Sequence, residues 1–230
     1  MTAPDPLPAA PLPVPGGVLL PGTGGYRVLA DGDAAEERVT VTHPALPADG
    51  AFRAGFRTRL RDAGRGGGGV GRRGAEPGTG VVTAGSGGRT SRVFFSRADG
   101  ILVQYVTGVG ARVRVDLDHR VDGVPPGLDT GRGVVAGRRT ALLTLRVRHP
   151  GTVTGHTVLA LVVADAGRTA VTDRGVRVEG AGRLLLLTRA LRHDGPGDPA
   201  GEAVLRDLAG EDGPAAAYGR LLGRHTAHRA

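Results

Sequence analysis

The chain contains no cysteine, lysine, asparagine or tryptophan, and only one methionine, one isoleucine and one glutamine. Without cysteine there are no disulfides, thiolate metal sites or cysteine nucleophiles. Without lysine there is no Walker-type phosphate grip. No apolar run approaches the roughly 18 residues that suggest a membrane-spanning helix. The opening MTAPDPLPAAPLPVPGG has neither the basic start nor the apolar centre of a signal peptide, so a cytoplasmic location is the default expectation. Aromatics are also scarce: four Phe and three Tyr in 230 residues. Three of these seven, Phe94, Phe95 and Tyr105, fall within RTSRVFFSRADGILVQYVTG at residues 89–108.

What is abundant is glycine (41), proline (16) and arginine, which supplies all 30 basic residues and a formal net charge of +8. The length suits one sizeable domain or two small ones. The Gly and Pro content suits a fold rich in turns. A positive excess raises the question of nucleic acid. Here the Arg residues are scattered among Asp and Glu, as in a solvated surface whose Lys positions have drifted to Arg under GC-rich coding. Nucleic-acid binding is therefore the lesser reading.

Residues 1–17 are Pro-rich and read as a mobile tail, ahead of a β-domain over 18–196. Residues 26–30 read as a short strand, Asp31, Gly32 and Asp33 as a turn, and residues 38–42 as a half-buried strand. A Gly-rich loop covers 64–80. Residues 90–96 and 101–107 flank Arg97-Ala98-Asp99-Gly100, which suits a hairpin with Gly100 at positive φ. Phe94 and Phe95 must point to opposite faces, so both faces are covered there. Residues 111–119 place Val113, Val115 and Leu117 on one face and Arg112, Arg114, Asp116 and Asp118 on the other. Residues 141–148 repeat the pattern with Leu143, Leu145 and Val147 inward, and 157–164 are apolar nearly throughout. Residues 175–179 and 183–188 read as a hairpin over Gly180-Ala181-Gly182. Strands following one another without helices predict an antiparallel sandwich. Residues 198–209 and 214–228 read as helices, the second with Tyr218, Leu221, Leu222 and His225 on one face.

Several residues invite chemistry. Gly66, Gly68 and Gly71 match a dinucleotide fingerprint without the strand and helix it needs, and read as loop. His225 and His228 could approach one another on a helix, but no third ligand stands at metal spacing. His119 and His43 read as strand-end residues. Ser86, Ser91 and Ser96 lack a nucleophile-elbow context. Asp116, Asp118, Glu179 and Glu202 are the carboxylates to consider for glycoside chemistry, which needs two of them across a sugar pocket. Their places on strand faces and in a helix favour ordinary surface roles. No catalytic, cofactor-binding or metal-ligating residue is assigned, and no cofactor is expected.

Four stretches in order carry a family resemblance: GYRVLADGDAAEERVTVTHPAL, SRVFFSRADGILVQYVTG with ARVRVDLDHRVDG, VRVEGAGRLLLLTRALRHDG, and AAAYGRLLGRHTAHRA. Over about residues 24–230 the chain resembles the N-terminal domain of glycoside hydrolase family 95, the α-L-fucosidase group. Arg92, Phe94 and Ser96 match that family's "R..F.S" strand, and residues 101–107 its hairpin partner. The resemblance implies a mainly β fold: a large, supersandwich-like antiparallel β-sandwich followed by a short C-terminal helical connector. In that reading residues 197–230 lead to an (α/α)6 catalytic barrel that this chain lacks. The chain would be a truncated or stand-alone accessory domain, not catalytic alone, with a barrel domain or a glycan as partner. The chain departs from the family in lacking its usual Trp-containing stretch. The other readings are a carbohydrate-binding or protein-interaction sandwich, and Arg-driven nucleic-acid binding.

Overall fold

The structure is a computed structural model that describes residues 12–14, 17–21, 27–32, 36–42, 55–62, 72–76, 78–119, 128–148, 155–193 and 200–227. In chain order these residues form β1 (Leu12–Val14), β2 (Gly17–Pro21), β3 (Arg27–Gly32), β4 (Glu36–Thr42), β5 (Gly55–Asp62), β6 (Arg72–Ala75), β7 (Val82–Ser86) and β8 (Arg89–Ser96). Then follow β9 (Ile101–Thr107), β10 (Arg112–Asp118), β11 (Asp129–Ala136), β12 (Thr140–Arg148), β13 (Gly155–Ala164), β14 (Arg168–Val171), β15 (Gly175–Glu179) and β16 (Arg183–His193). Two helices close the described chain, α1 (Ala200–Ala209) and α2 (Pro214–Ala227).

The strands make two antiparallel eight-stranded sheets. The first runs β1-β2-β3-β4-β5-β10-β15-β14 and the second β11-β12-β13-β16-β9-β8-β7-β6. The mainly β sandwich with a C-terminal helical pair is thus the architecture. The inner core between the sheets takes alternate residues from both: Val39, Val41, Val113 and Val115 from the first, Phe95, Leu102, Leu143 and Leu186 from the second. A second core lies on the outer face of the second sheet, where Phe94, Val103, Tyr105, Leu161 and Leu187 meet Leu205, Tyr218 and Leu221 of the helices. Three layers result: charged sheet, apolar sheet, helices. This explains why all ten residues of β13 are buried, since a strand covered on both faces has no use for polar alternation. Phe94 and Phe95 divide between the two cores as strand alternation requires.

One ion pair crosses the inner core. Arg89 on β8 donates through Nη2 to Glu37 Oε2 on β4 at 2.6 Å, and Ser91 Oγ donates to Glu37 Oε1 at 2.6 Å. All three side chains are buried. A carboxylate there is tolerable because a guanidinium and a hydroxyl both satisfy it.

Several sequence expectations change. Leu12–Val14, placed in a mobile tail, pairs with β2 as an edge strand. Pro13 fits there because an edge position can spare its missing N–H. Asp31 and Gly32 are not a turn but the end of β3, opposite Arg38 and Glu37. Arg72–Ala75, inside the expected Gly-rich loop, pairs with β7 at the other sheet's edge. Gly55–Asp62 and Asp129–Ala136 are strands beyond those expected from the sequence. The expected hairpin over Gly180–Gly182 does not form: β15 pairs with β10 and β14, β16 with β13 and β9. The cause is periodicity. Val176 and Val178 are apolar on one face only, which suits the sheet with a wet outer side. Leu184–Leu187 are buried on both faces and must enter the sheet covered on both. The expected turn at Gly100 does occur, with φ of 64°.

Candidate functional site, the seat of the C-terminal helices

The opening aromatic stretch builds a platform. On β8 the alternation turns Arg92, Phe94 and Ser96 outward, and β9 sets Tyr105, Val103 and Ile101 opposite them. The α2 helix lies across this surface. Tyr218 stacks on Tyr105, ring centroids 4.5 Å apart and planes 17° from parallel. It meets Phe94 edge-on at 6.1 Å, and the His225 ring covers Phe94 at 4.7 Å. Such pairs add about 0.5–1.5 kcal/mol beyond the area they bury. Burial pushes the Tyr218 phenol above its ordinary pKa of 10.0, while the Arg92 guanidinium beside it works the other way.

Polar contacts lock the same helix. Asp99, in the β8–β9 turn, accepts from Ser96 Oγ at 2.6 Å and pairs with Arg224 Nη2 at 2.5 Å, and its side chain is only 2% exposed. His225 Nε2 lies 2.9 Å from the Thr79 carbonyl. The motif residues Arg92, Phe94, Ser96 and Asp99 therefore all face one helix. The α1 helix approaches the sheet closely at Gly201, where a Cβ would come within 2.7 Å of Leu191 Cδ1 and 2.8 Å of Leu159 Cδ1. Gly210, with φ of 61°, ends α1 in the left-handed geometry common after a helix. Arg220 of α2 donates to the last α1 carbonyl, Ala209 O, at 3.2 Å and to Asp212 at 3.0 Å. Tyr218, Leu221 and His225 are buried and Leu222 half-buried, the stripe expected from its spacing.

Beside the helix turn runs a cleft of about 450 Å³ lined by Arg139, Asp165, Arg183 and the 210–215 segment. Two of its three carboxylates have structural work, and the third, Glu211, is exposed. Asp165 Oδ1 accepts the amides of Gly182 and Arg183, and Asp212 holds Arg220.

The remaining candidates lie elsewhere. Asp116 and Asp118 belong to an ionic ladder on the outer face of the first sheet: Arg61 and Arg114 hold Asp116, while Arg59 and Arg132 hold Asp118. The hydrogen bond that Arg114 Nε donates to Asp116 raises the Arg114 pKa further. Glu179 is clasped by Arg112, Arg168 and Arg177, and the Arg168 hydrogen bond holds its carboxyl below 4.5. Glu202 pairs with Arg206 one turn along α1. Half-buried His119 sits beside Asp118 and Arg132. Ser91 and Ser96 serve Glu37 and Asp99, and Ser86 ends β7. Gly66, Gly68, Gly71, His43 and His228 lie outside the described residues. Among the described residues no group of three or more His, Asp or Glu side chains is placed to hold a metal. The residue that sequence reasoning missed is Asp99, whose signal was its place in the SRAD turn three residues after Ser96.

No family model matches the chain, and no curated protein does. Among solved structures it is similar to a protein described as a kojibiose phosphorylase from human microbiome, with a TM-score of 0.50 and 10% identity over 92% of this chain. The chain spans 35% of that protein's length. At this identity the shared property is the fold: the chain has the β-sandwich architecture found within a carbohydrate-active phosphorylase.

Proposed function

We propose that the chain is the accessory β-sandwich of a fucosidase-like glycoside hydrolase of family 95 type, working beside a catalytic (α/α)6 barrel. Its own residues do not turn over substrate. The observation that carries this reading is the α2 helix seated on the Arg92–Phe94–Ser96–Asp99 motif, in a fold shared over 92% of the chain with part of a larger carbohydrate-active protein. A seat of this kind fixes the direction in which the helices leave the sandwich. A catalytic domain attached to them would inherit that direction.

The alternatives draw less support. All five described aromatics, Phe56, Phe94, Phe95, Tyr105 and Tyr218, are buried, so none offers a sugar-stacking surface. Seven Arg residues of the first sheet's outer face, among them Arg59, Arg61 and Arg114, are paired with carboxylates rather than arrayed for phosphates.

The test uses the purified chain and a family 95 barrel stripped of its own sandwich. The chain alone should release no nitrophenol from an aryl α-L-fucoside, and fusing the barrel after α2 should raise the barrel's yield and turnover. Turnover by the chain alone that Asp165→Asn abolishes would overturn the proposal, as would a fusion that performs no better than the bare barrel.

A further inference from the structure

Four strands end the two sheets, and three of them are short: β1 has three residues, and β6 and β14 have four each. Short edges are one way a sheet avoids pairing with other chains. The fourth, β11, has eight residues and hydrogen-bonds only with β12 among the described residues. It has no proline, and of its two charged side chains Arg132 is turned to Asp118 while Asp129 stands at the strand's first position. The two exposed large hydrophobics among the described residues lie on this same flank: Val135, 67% exposed, on β11, and Val171, 56% exposed, on β14. The flank is held together where Thr169 N donates to Arg138 O at 2.9 Å.

We propose that β11 is a self-association edge, pairing antiparallel with β11 of a second copy about a two-fold axis at Gly133. The argument for a second copy is self-complementarity, the requirement of any two-fold contact. In that register Val135 of one copy stands opposite Gly131 of the other, twice, with the two Gly133 residues at the centre. Gly131, Gly133 and Val135 share one face of the strand, opposite Arg146, Thr144 and Leu142 of β12. Each protruding Val therefore meets a position with no side chain. The space is real: a Cβ built on Gly131 finds nothing nearer than Arg146 Cβ at 3.9 Å. On the other face Arg132 would oppose Val134, and Thr130 would oppose Ala136. The contact is far smaller than a standard interface of about 1,600 Å², so the dimer is weak and reversible. This inference does not depend on the proposed function.

Sedimentation of the full chain should show a monomer–dimer equilibrium with a Kd on the order of 100 μM. Val135→Lys and Gly131→Val should each weaken it at least ~10-fold with unchanged circular dichroism and melting. The first removes the knob and the second fills the hole. The double variant Gly131→Asp with Val135→Lys should recover association, because the register sets residue 131 against 135 of the other copy. The proposal is overturned by a chain that stays monomeric to about 1 mM. It is equally overturned by a dimer indifferent to both single variants, or by a double variant no better than Val135→Lys.

Discussion

The two sheets share one inner core, yet their outer faces have opposite character. The first sheet's outer face is a ladder of Arg57, Arg59, Arg61, Arg114, Asp116, Asp118, Arg177 and Glu179, open to water and cross-linked by ion pairs. The second presents Phe94, Val103, Tyr105, Leu161, Leu185 and Leu187, and two helices cover it. The same pleated backbone underlies both. What differs is whether a strand alternates. A β10 or β15 strand spends its apolar residues inward only, whereas β13 and β16 spend them on both sides and so require a third layer. The ladder shows how a face can be stabilised without that layer, by weak contacts individually worth little.

The largest effect should come from the covered face. Phe94→Ala removes a fully buried ring that touches both Tyr218 and His225, and should destabilise by about 3–5 kcal/mol in denaturant melts. A loss under about 1 kcal/mol would end the claim that this face is core. Next, Leu221→Ala should cost about 2–4 kcal/mol. Its signature is local: amide exchange should accelerate across α2 while β13 and β16 keep their protection, since the helix is held by one face only. Uniform acceleration everywhere would mean that helix and sandwich unfold as one unit.

On the open face, Asp116→Ala should cost about 1–2 kcal/mol, because its partners Arg61 and Arg114 are part exposed and can rehydrate. That loss should shrink in high salt, and the Phe94→Ala loss should not. An equal salt response would blur the distinction between the faces. The smallest effects are those of pH, and they run in opposite directions. Burial raises the Tyr218 pKa above 10.0, so its contribution is complete below that pH and declines as pH rises through the raised value. Tyr218→Phe should flatten this alkaline decline. The Glu179 carboxyl lies below 4.5, so its contribution is present above that pH and is lost as pH falls through the lowered value. Glu179→Gln should flatten the acid side of the profile and leave the alkaline side alone.

Much of the fold could be read from residue patterns. The β8–β9 hairpin, the alternation in β10 and β12, the buried β13 and the stripe of α2 each follow from spacing within a single element. The strands that escaped notice had a local reason. In β5, Phe56 and Leu60 alternate with Arg57, Arg59 and Arg61, but these two are the only apolar residues and the segment runs into the Gly-rich stretch. In β11, Gly131 and Gly133 erase the alternation, and only the β12 partner makes the segment a strand. The candidate site was half legible. Its aromatics and its helix stripe could be seen, but their meeting could not, because residues 94 and 225 are neighbours only after the chain has crossed between the sheets.

By itself, then, the sequence determined the class of the fold and the faces of its strands, since side-chain alternation and apolar spacing are properties of the local backbone. It also determined that no cysteine or lysine chemistry operates here. Only the tertiary structure decided that Gly180–Gly182 carries the chain from one sheet to the other, that Glu37 and Arg89 share the inner core, and that Asp99 reaches Arg224. Each of these depends on burial, and burial depends on which layers cover a face. That is settled by the packing of segments remote in sequence and by no single stretch of it.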